Sequence, residues 1–314
     1  MRRAVIDIGT NTVKLLVADV RDGQVFPVVS KDQATRLGAG VAATRQLAPS
    51  AIARTVAAIA GYVADAHEHA VTDLTAFTTS AARDAGNRQE FLDAVRRQCG
   101  LEVSVLSGQR EAELIFRGVA SDPLWAAQRL LVMDIGGGSA EVIQGRAGKM
   151  EHWTSLPIGA VRLTEQFRER SFAELATHLR SLLCSALADF AAAGCQFVAT
   201  GGATTTLGRI FAVGRVTAHG VPDTLPTPAE VSGPTSGTVV DHTSLTFEEV
   251  SALVAQLNAM SLAERRQVPG LPPDRADIIV AGGAALMFAM ESLGVSALTV
   301  STRNLRYGAL LQQP

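Results

Sequence analysis

The stretch "VIDIGTNTVKLLV" at residues 5–17 returns, respelled, as "VMDIGGGSAEVIQ" at 132–144. Each copy runs from an apolar strand to an aspartate, then Ile-Gly, a short polar turn and a second apolar run. A buried strand ends on a carboxylate, and the chain reverses through residues with little or no side chain. One such turn is explained by a structural tight turn. Two matched copies, one opening each half, point to duplicated units whose turns meet across a cleft.

The rest of the chain restarts in the same way. In the first half, a helix is expected at about 49–69 with Ser50 as its cap. A strand at 74–82 then runs into a loop. An amphipathic helix "NRQEFLDAVRRQCG" ends at Gly100, a short strand covers 102–107, and a helix opens in "GQREAELIFRGVAS". "DPLWAAQR" reads as a domain junction. In the second half, "SFAELATHLRSLLCSALADFAAAG" reads as a helix with a Ser171/Glu174 capping box and a stop at Gly194. "QFVATGGATTTLGRI" and "ADIIVAGGAALMFAMESLG" each read as strand, glycine turn, helix. Thr246 and Glu249 cap a further helix, and "ALTVSTRNLRYGALL" closes as strand, turn, helix. Residues 214–242, rich in Gly, Pro, Thr and Ser, read as a long excursion loop, with a lid over the site as one role for it.

Composition narrows the function. The 314 residues are 47% hydrophobic and 18% charged, enough for two ordinary domains with real cores. Apolar runs break well short of the ~20 residues of a membrane helix. Asp7 falls where the apolar core of a signal peptide would lie, so a cytoplasmic protein is expected. A net charge of −2 argues against general nucleic-acid binding but leaves room for a local cationic cleft. Cys99, Cys184 and Cys195, in no CxxC spacing, read as buried reduced thiols. The six histidines, His67, His69, His152, His178, His219 and His242, read as solvated or ordinarily packed.

The turns carry the chemistry. Glycines let backbone N–H groups converge on phosphate oxygens, and Thr10, Asn11, Thr12 and Ser139 add side-chain donors. Asp7, Asp134 and Glu141 would repel a phosphate unless a divalent cation sits between. Mg²⁺ accepts one or two carboxylates, keeps several waters and bridges phosphate oxygens. The spacing is not that of a dinucleotide-binding turn, because "GGGSAE" leads into an apolar strand.

Paired strand–Asp-x-Gly turns resemble the actin, sugar-kinase and Hsp70-type ATPase superfamily. The resemblance is closer to the exopolyphosphatase and guanosine pentaphosphate phosphohydrolase (Ppx/GppA) family. It rests on "DIGTNTVKLLV", "TSAARDAGNRQEF", "SGQREAELIFRGV", "DIGGGSAEV", "SLPIGAVRLTE", "ATGGATTTL", "PGLPPDRADIIVAGG" and "LRYGALL", in family order over nearly the whole chain. It implies an α/β protein of two ribonuclease H-like domains, each a mixed sheet flanked by helices, with a cleft between. The units would be 1–125 and 126–314, the last helix packing back on the first.

The resemblance implies that Glu111 orients the water that attacks the terminal phosphorus. Asp134 and Glu141, with Asp7, would serve Mg²⁺, with Mn²⁺ as a substitute. Gly9, Thr10, Asn11, Thr12, Lys14, Gly136, Gly137, Gly138 and Ser139 would hold terminal phosphates, and Arg83 would contact substrate oxygens. Gly201 and Gly202 match the turn that holds adenosine in nucleotide-binding relatives. The expected activity is Mg²⁺-dependent release of orthophosphate from inorganic polyphosphate. The alternatives are hydrolysis of the 5′-terminal phosphate of pppGpp, or a non-catalytic alarmone or polyphosphate sensor. Two Trp and two Tyr offer few platforms for a base, which favours polyphosphate. A homodimer is compatible with this architecture. Three departures stand out. Threonines replace the serines usual in the first turn, Lys14 stands where arginine is common, and "STRNLRYG" replaces a pattern in which Asn304 would act as glycine if its φ were positive.

Overall fold

The computed structural model describes residues 1–217 and 240–312; the expected excursion loop lies mostly outside the described residues. Among the described residues there are two mixed sheets flanked by helices. The first contains β1 (Arg2–Ile8), β2 (Thr12–Arg21), β3 (Gln24–Ala34), β4 (Asp73–Thr78) and β5 (Val103–Val105), in the order β3-β2-β1-β4-β5. The second contains β6 (Arg129–Ile135), β7 (Ala140–Arg146), β8 (Lys149–Leu156), β9 (Gln196–Thr200), β10 (Ser244–Thr246) and β11 (Ala297–Val300), in the order β10-β11-β9-β6-β7-β8. In both, an antiparallel three-strand meander is followed by parallel strands on the far side of its first member. The repeated sequence therefore encodes a repeated topology. Strands β3 and β8 have no counterpart in the sequence reading, because their faces are largely exposed and carry mixed polar residues.

Helices α1 (Val41–Thr44), α2 (Pro49–Glu68), α3 (Ser80–Asp84), α4 (Arg88–Cys99) and α5 (Gly108–Ala120) belong to the first half. The second half carries α6 (Ala160–Gln166), α7 (Phe172–Ala186), α8 (Gly201–Thr217), α9 (Phe247–Ala259), α10 (Leu262–Arg265), α11 (Ile279–Leu293) and α12 (Leu305–Leu310). The capping boxes at Ser171/Glu174 and Thr246/Glu249 are formed, and Gly100 closes α4 at φ +61°.

Several local expectations are corrected. Ser50 does not cap α2; Ala48 is the cap and Pro49 takes the first turn, where its missing N–H costs nothing. Helix α7 stops at Ala186, eight residues before Gly194. The "ADIIVAGGAALM" stretch holds no strand, and Gly282 and Gly283 lie inside α11. They are there for close packing: a Cβ on Gly282 would sit 2.7 Å from Ala203 Cβ, and one on Gly283 2.8 Å from Val254 Cγ2. Asn304 does not stand in for a glycine. Its φ is −149°, and its side chain caps α12 by accepting from the Arg306 N–H. All three cysteines are free, but none is fully buried: Cys184 is exposed and Cys99 and Cys195 are half-buried.

Each sheet has its own apolar core, and a third core lies between them. Val5, Leu16 and Phe77 of the first sheet and Val132, Ile143 and Val198 of the second meet there around α5 and α12. The two helices touch backbone to backbone. A Cβ on Gly308 would overlap the Leu114 carbonyl, and one on Gly118 would overlap the Asn304 carbonyl. This clamp fixes the azimuth of α5 and hence where its first turn points. Gly308→Ala is expected to cost about 1–3 kcal/mol, the usual range for overpacking, and to lower activity in the surviving folded fraction. Chemical denaturation beside an activity assay checks it; an unchanged midpoint would disprove the clamp.

Candidate functional site

The two glycine turns meet face to face. Thr10 of the β1–β2 turn packs on Gly137 and Gly138 of the β6–β7 turn. A Cβ on Gly138 would lie 2.5 Å from Ser80 Oγ and 2.7 Å from Thr10 Oγ1, and one on Gly137 would lie 2.9 Å from Thr10 Cβ. Glycine is required here by a close approach, since neither residue has a positive φ. Both turns are closed alike, by Gly9 N–H to Thr12 O at 3.1 Å and by Gly136 N–H to Ser139 O at 3.0 Å.

Hairpin register places the charges. Asp7 pairs with Lys14 across β1–β2, and Asp134 pairs with Glu141 across β6–β7. Glu111 arrives from elsewhere, on the first turn of α5, whose cap is Ser107. It is 7% exposed, and Glu141 is 1% exposed. The Arg83 guanidinium reaches over from α3, donating from Nη1 to Glu111 Oε2 and to the Leu106 carbonyl, both at 2.9 Å.

A chamber between the turns is lined by most of the expected residues: Asp7, Gly9 to Thr12, Lys14, Glu111, Asp134, Gly136 to Ser139 and Gly202. Glu141 stands behind this wall, accepting a 2.8 Å bond from Ser155 Oγ. Gly201 also stands behind it, its φ of +92° letting the chain pass Asp134 Oδ1 where a Cβ would come within 2.6 Å. Arg83 borders a neighbouring recess rather than the chamber. Its observed partner is Glu111 instead of open space.

The acids crowd one another. Burial pushes Glu111 up to about 7, against the pull of the Arg83 hydrogen bond and charge. Burial pushes Asp134 up to about 6, with Lys14 opposing and Asp7 reinforcing. Asp7 is raised by burial, less the attraction of Lys14 and Arg306. Glu141 is raised well above its ordinary value by burial and then by Glu111 and Asp134. Burial also lowers Lys14. Asn11 Oδ1 is buried and has no hydrogen-bond donor. This set of oxygens suits a cation. Among the described residues the acids of the turns do not form a triad with ligand atoms within 4.8 Å of one another.

Sequence reasoning missed several residues. Ser80 and Arg275 line the chamber, Arg275 with Nη1 on the Gly202 carbonyl at 3.0 Å. Arg162 bonds the Gly138 carbonyl at 2.8 Å and the carboxylate of Asp84 across the cleft. Arginines outside glycine turns carry no local signature. His242 is exposed and hydrogen-bonded to Asp122. With Asp122 and Asp241 it forms, among the described residues, the group whose geometry could hold a metal. Arg303 Nε already lies 3.4 Å from Asp122 Oδ2, the oxygen that His242 Nε2 meets at 2.8 Å. Those bonds tie Asp122 to His242 and to Arg303. No helix among the described residues is long and apolar enough to cross a membrane.

Comparison with known proteins agrees with this geometry. Residues 16–313 match the model of the Ppx/GppA phosphatase family. Exopolyphosphatase 1 of Mycobacterium tuberculosis H37Rv is 31% identical over 328 aligned positions, covering 100% of this chain and 88% of the relative. The crystal structure of an exopolyphosphatase from Cytophaga hutchinsonii superposes with a TM-score of 0.82 at 27% identity, over 99% of this chain and 96% of that one. The Aquifex aeolicus Ppx/GppA family member gives 0.75 at 28%, over 99% and 96%.

The raised carboxylates have a consequence for stability. An acid whose folded-state pKa exceeds its unfolded value favours folding below the unfolded value and loses that advantage as pH rises through the folded one. For Asp134 the window runs from about pH 4 to about 6, and the loss is on the order of 3 kcal/mol at 1.36 kcal/mol per unit. In buffer free of divalent cations, Asp134→Asn should therefore raise the melting temperature at pH 8 and change it little at pH 4. Melting curves at the two pH values check it; equal shifts at both would contradict it.

Proposed function

The chain belongs to the Ppx/GppA phosphatase family, and from that premise we propose that it is an exopolyphosphatase, hydrolysing the terminal phosphoanhydride of inorganic polyphosphate with Mg²⁺. The observation that carries this is the placement of Glu111 beside two facing phosphate turns, with its carboxylate steered by Arg83. Residues 1–125 and 126–314 act as the two jaws of the cleft.

The terminal phosphate sits between the turns, where the backbone N–H groups of residues 10–12 and 137–139 and the hydroxyls of Thr10, Thr12 and Ser139 meet its oxygens, the Gly9 and Gly136 N–H groups being used to close the turns. Lys14 adds positive charge beneath it. Glu111 accepts a hydrogen bond from a water in line with the scissile P–O bond. As that water adds to phosphorus, the bond to the rest of the chain breaks and the proton passes to the carboxylate. A value near 7 before substrate binds is suited to this, because the group must take a proton and then release it at neutral pH. Arg83 keeps Glu111 from turning away and favours its ionised form. Asp7, Asp134 and Glu141 would hold Mg²⁺, or Mn²⁺ in its place, partly through water. The ion, when bound, neutralises charge on the transferring phosphoryl group.

The test is phosphate release from long-chain polyphosphate and from pppGpp, side by side, by wild type and Glu111→Gln. Wild type is expected to act mainly on polyphosphate. The variant should lose about 10²- to 10⁴-fold in kcat, as for loss of a general base, with polyphosphate binding retained. Release mainly from pppGpp would reassign the substrate. Tight binding without release from wild type would reduce the protein to a sensor.

A further inference from the structure

In-line displacement puts the attacking water and the leaving oxygen on opposite sides of phosphorus. The water stands on the side of Glu111, so the shortened chain departs on the side away from it. The new orthophosphate is then left between Glu111 and the chain, in a chamber of only about 100 Å³. On the Glu111 side the chamber meets an open recess of about 450 Å³, with Ser80 and Ser139 common to both. Gly108, at the start of α5, and Arg83, which bonds Glu111 Oε2 at 2.9 Å, line this recess. Gly202 and Arg275 line the chamber and not the recess. The recess therefore opens on the side of the water.

We infer that this recess is the exit by which orthophosphate leaves while the shortened chain is still bound. The inference rests on the hydrolase reading of the chamber. In that reaction the water oxygen bonds to phosphorus and the water's proton passes to Glu111. The P–O bond to the chain breaks, and its electron pair goes to the chain's new end. The product cannot pass the chain, which fills the side it departs on. At the Gly202 end, moreover, Arg275 bonds Asp32 across the cleft at 3.1 Å, and Arg36 bonds Asp277 at 2.7 Å. The recess instead presents two guanidinium groups, Arg83 from the first half and Arg162 from the second. Arg162 donates from Nε to the Gly138 carbonyl at 2.8 Å and from Nη2 to Asp84. Those bonds fix its plane beside the β6–β7 turn and leave Nη1 without a hydrogen-bond partner among the described residues. A guanidinium held in this way meets a phosphate oxygen with little further loss of side-chain freedom. The ion passes from the turns to Arg162 and on to solvent. Asp84 holds Arg162 while the exit is empty, and its own charge hastens the anion outward.

Three measurements on the full chain, with Mg²⁺ and long-chain polyphosphate, test this. Orthophosphate should inhibit wild type noncompetitively, because it re-enters behind a bound chain. Inhibition abolished by saturating chain would overturn the exit. Cleavage is then timed by acid quench and free orthophosphate by a phosphate sensor. Arg162→Gln removes the cation and leaves Asp84 unpaired, so its release should lag cleavage and slow about tenfold, the scale of one charged hydrogen bond. Asp84→Asn keeps the cation and should show no such lag. Equal lags in the two variants would make the pair a structural latch and overturn the inference, as would no lag in Arg162→Gln. The third measurement needs neither variant. Trp153 lines the recess and Trp125 is 4% exposed, so acrylamide quenching of fluorescence reports on the recess. In Glu111→Gln, saturating polyphosphate should leave that quenching unchanged. Protection of Trp153 would place the chain in the recess and overturn the exit. Failure of wild type to release phosphate from polyphosphate would instead sink the hydrolase reading itself.

Discussion

Four carboxylates converge where the two halves of this protein meet, and the rest of the structure answers to that crowding. Asp7, Glu111, Asp134 and Glu141 face Lys14 and Arg83 at close quarters, and burial drives all four toward their neutral forms. Such a cluster is costly in the resting fold. It becomes favourable only when positive charge enters. A phosphate chain carries more negative charge, and under the proposed function a cation would stand between it and the acids.

Holding repelling groups in place requires rigid elements, and the fold supplies two kinds. Three of the acids stand on hairpin strands whose register is set by seven consecutive pairs on each side. The fourth, Glu111, stands on α5, which is wedged between the sheets and locked to α12 by two glycines in backbone contact. Its position is a tertiary product: the turns come from local sequence, whereas Glu111 reaches them only because the third core packs α5 against both sheets.

That difference explains what the sequence revealed. The hairpins were legible because their signal is local, an apolar run, Asp, Gly, turn and apolar run, and because it occurs twice. Helices with capping boxes were legible for the same reason. The glycines of α11 misled, since a Gly-Gly pair marks a turn or a close helix contact equally well until the partner helix is known. The edge strands β3 and β8 lack the alternation of a half-buried strand. Arg162, Arg275 and Asp84 were silent, as their roles depend on which loops face each other across the cleft.

The two hairpins share a topology but have diverged in charge. At the position cross-strand from the turn's aspartate, one half carries Lys14 and the other Glu141. The first half thus offers its turn with a compensated acid and leans toward anion binding. The second pairs two acids across the strands, with Lys14 of the first half as the opposing charge on Asp134. A substrate that is a polyanion accompanied by a divalent ion needs both surfaces at once, in contact. The two turns share one shape, and they differ in charge at the cross-strand position, Lys14 in one and Glu141 in the other; under the proposed function that difference would give them complementary tasks.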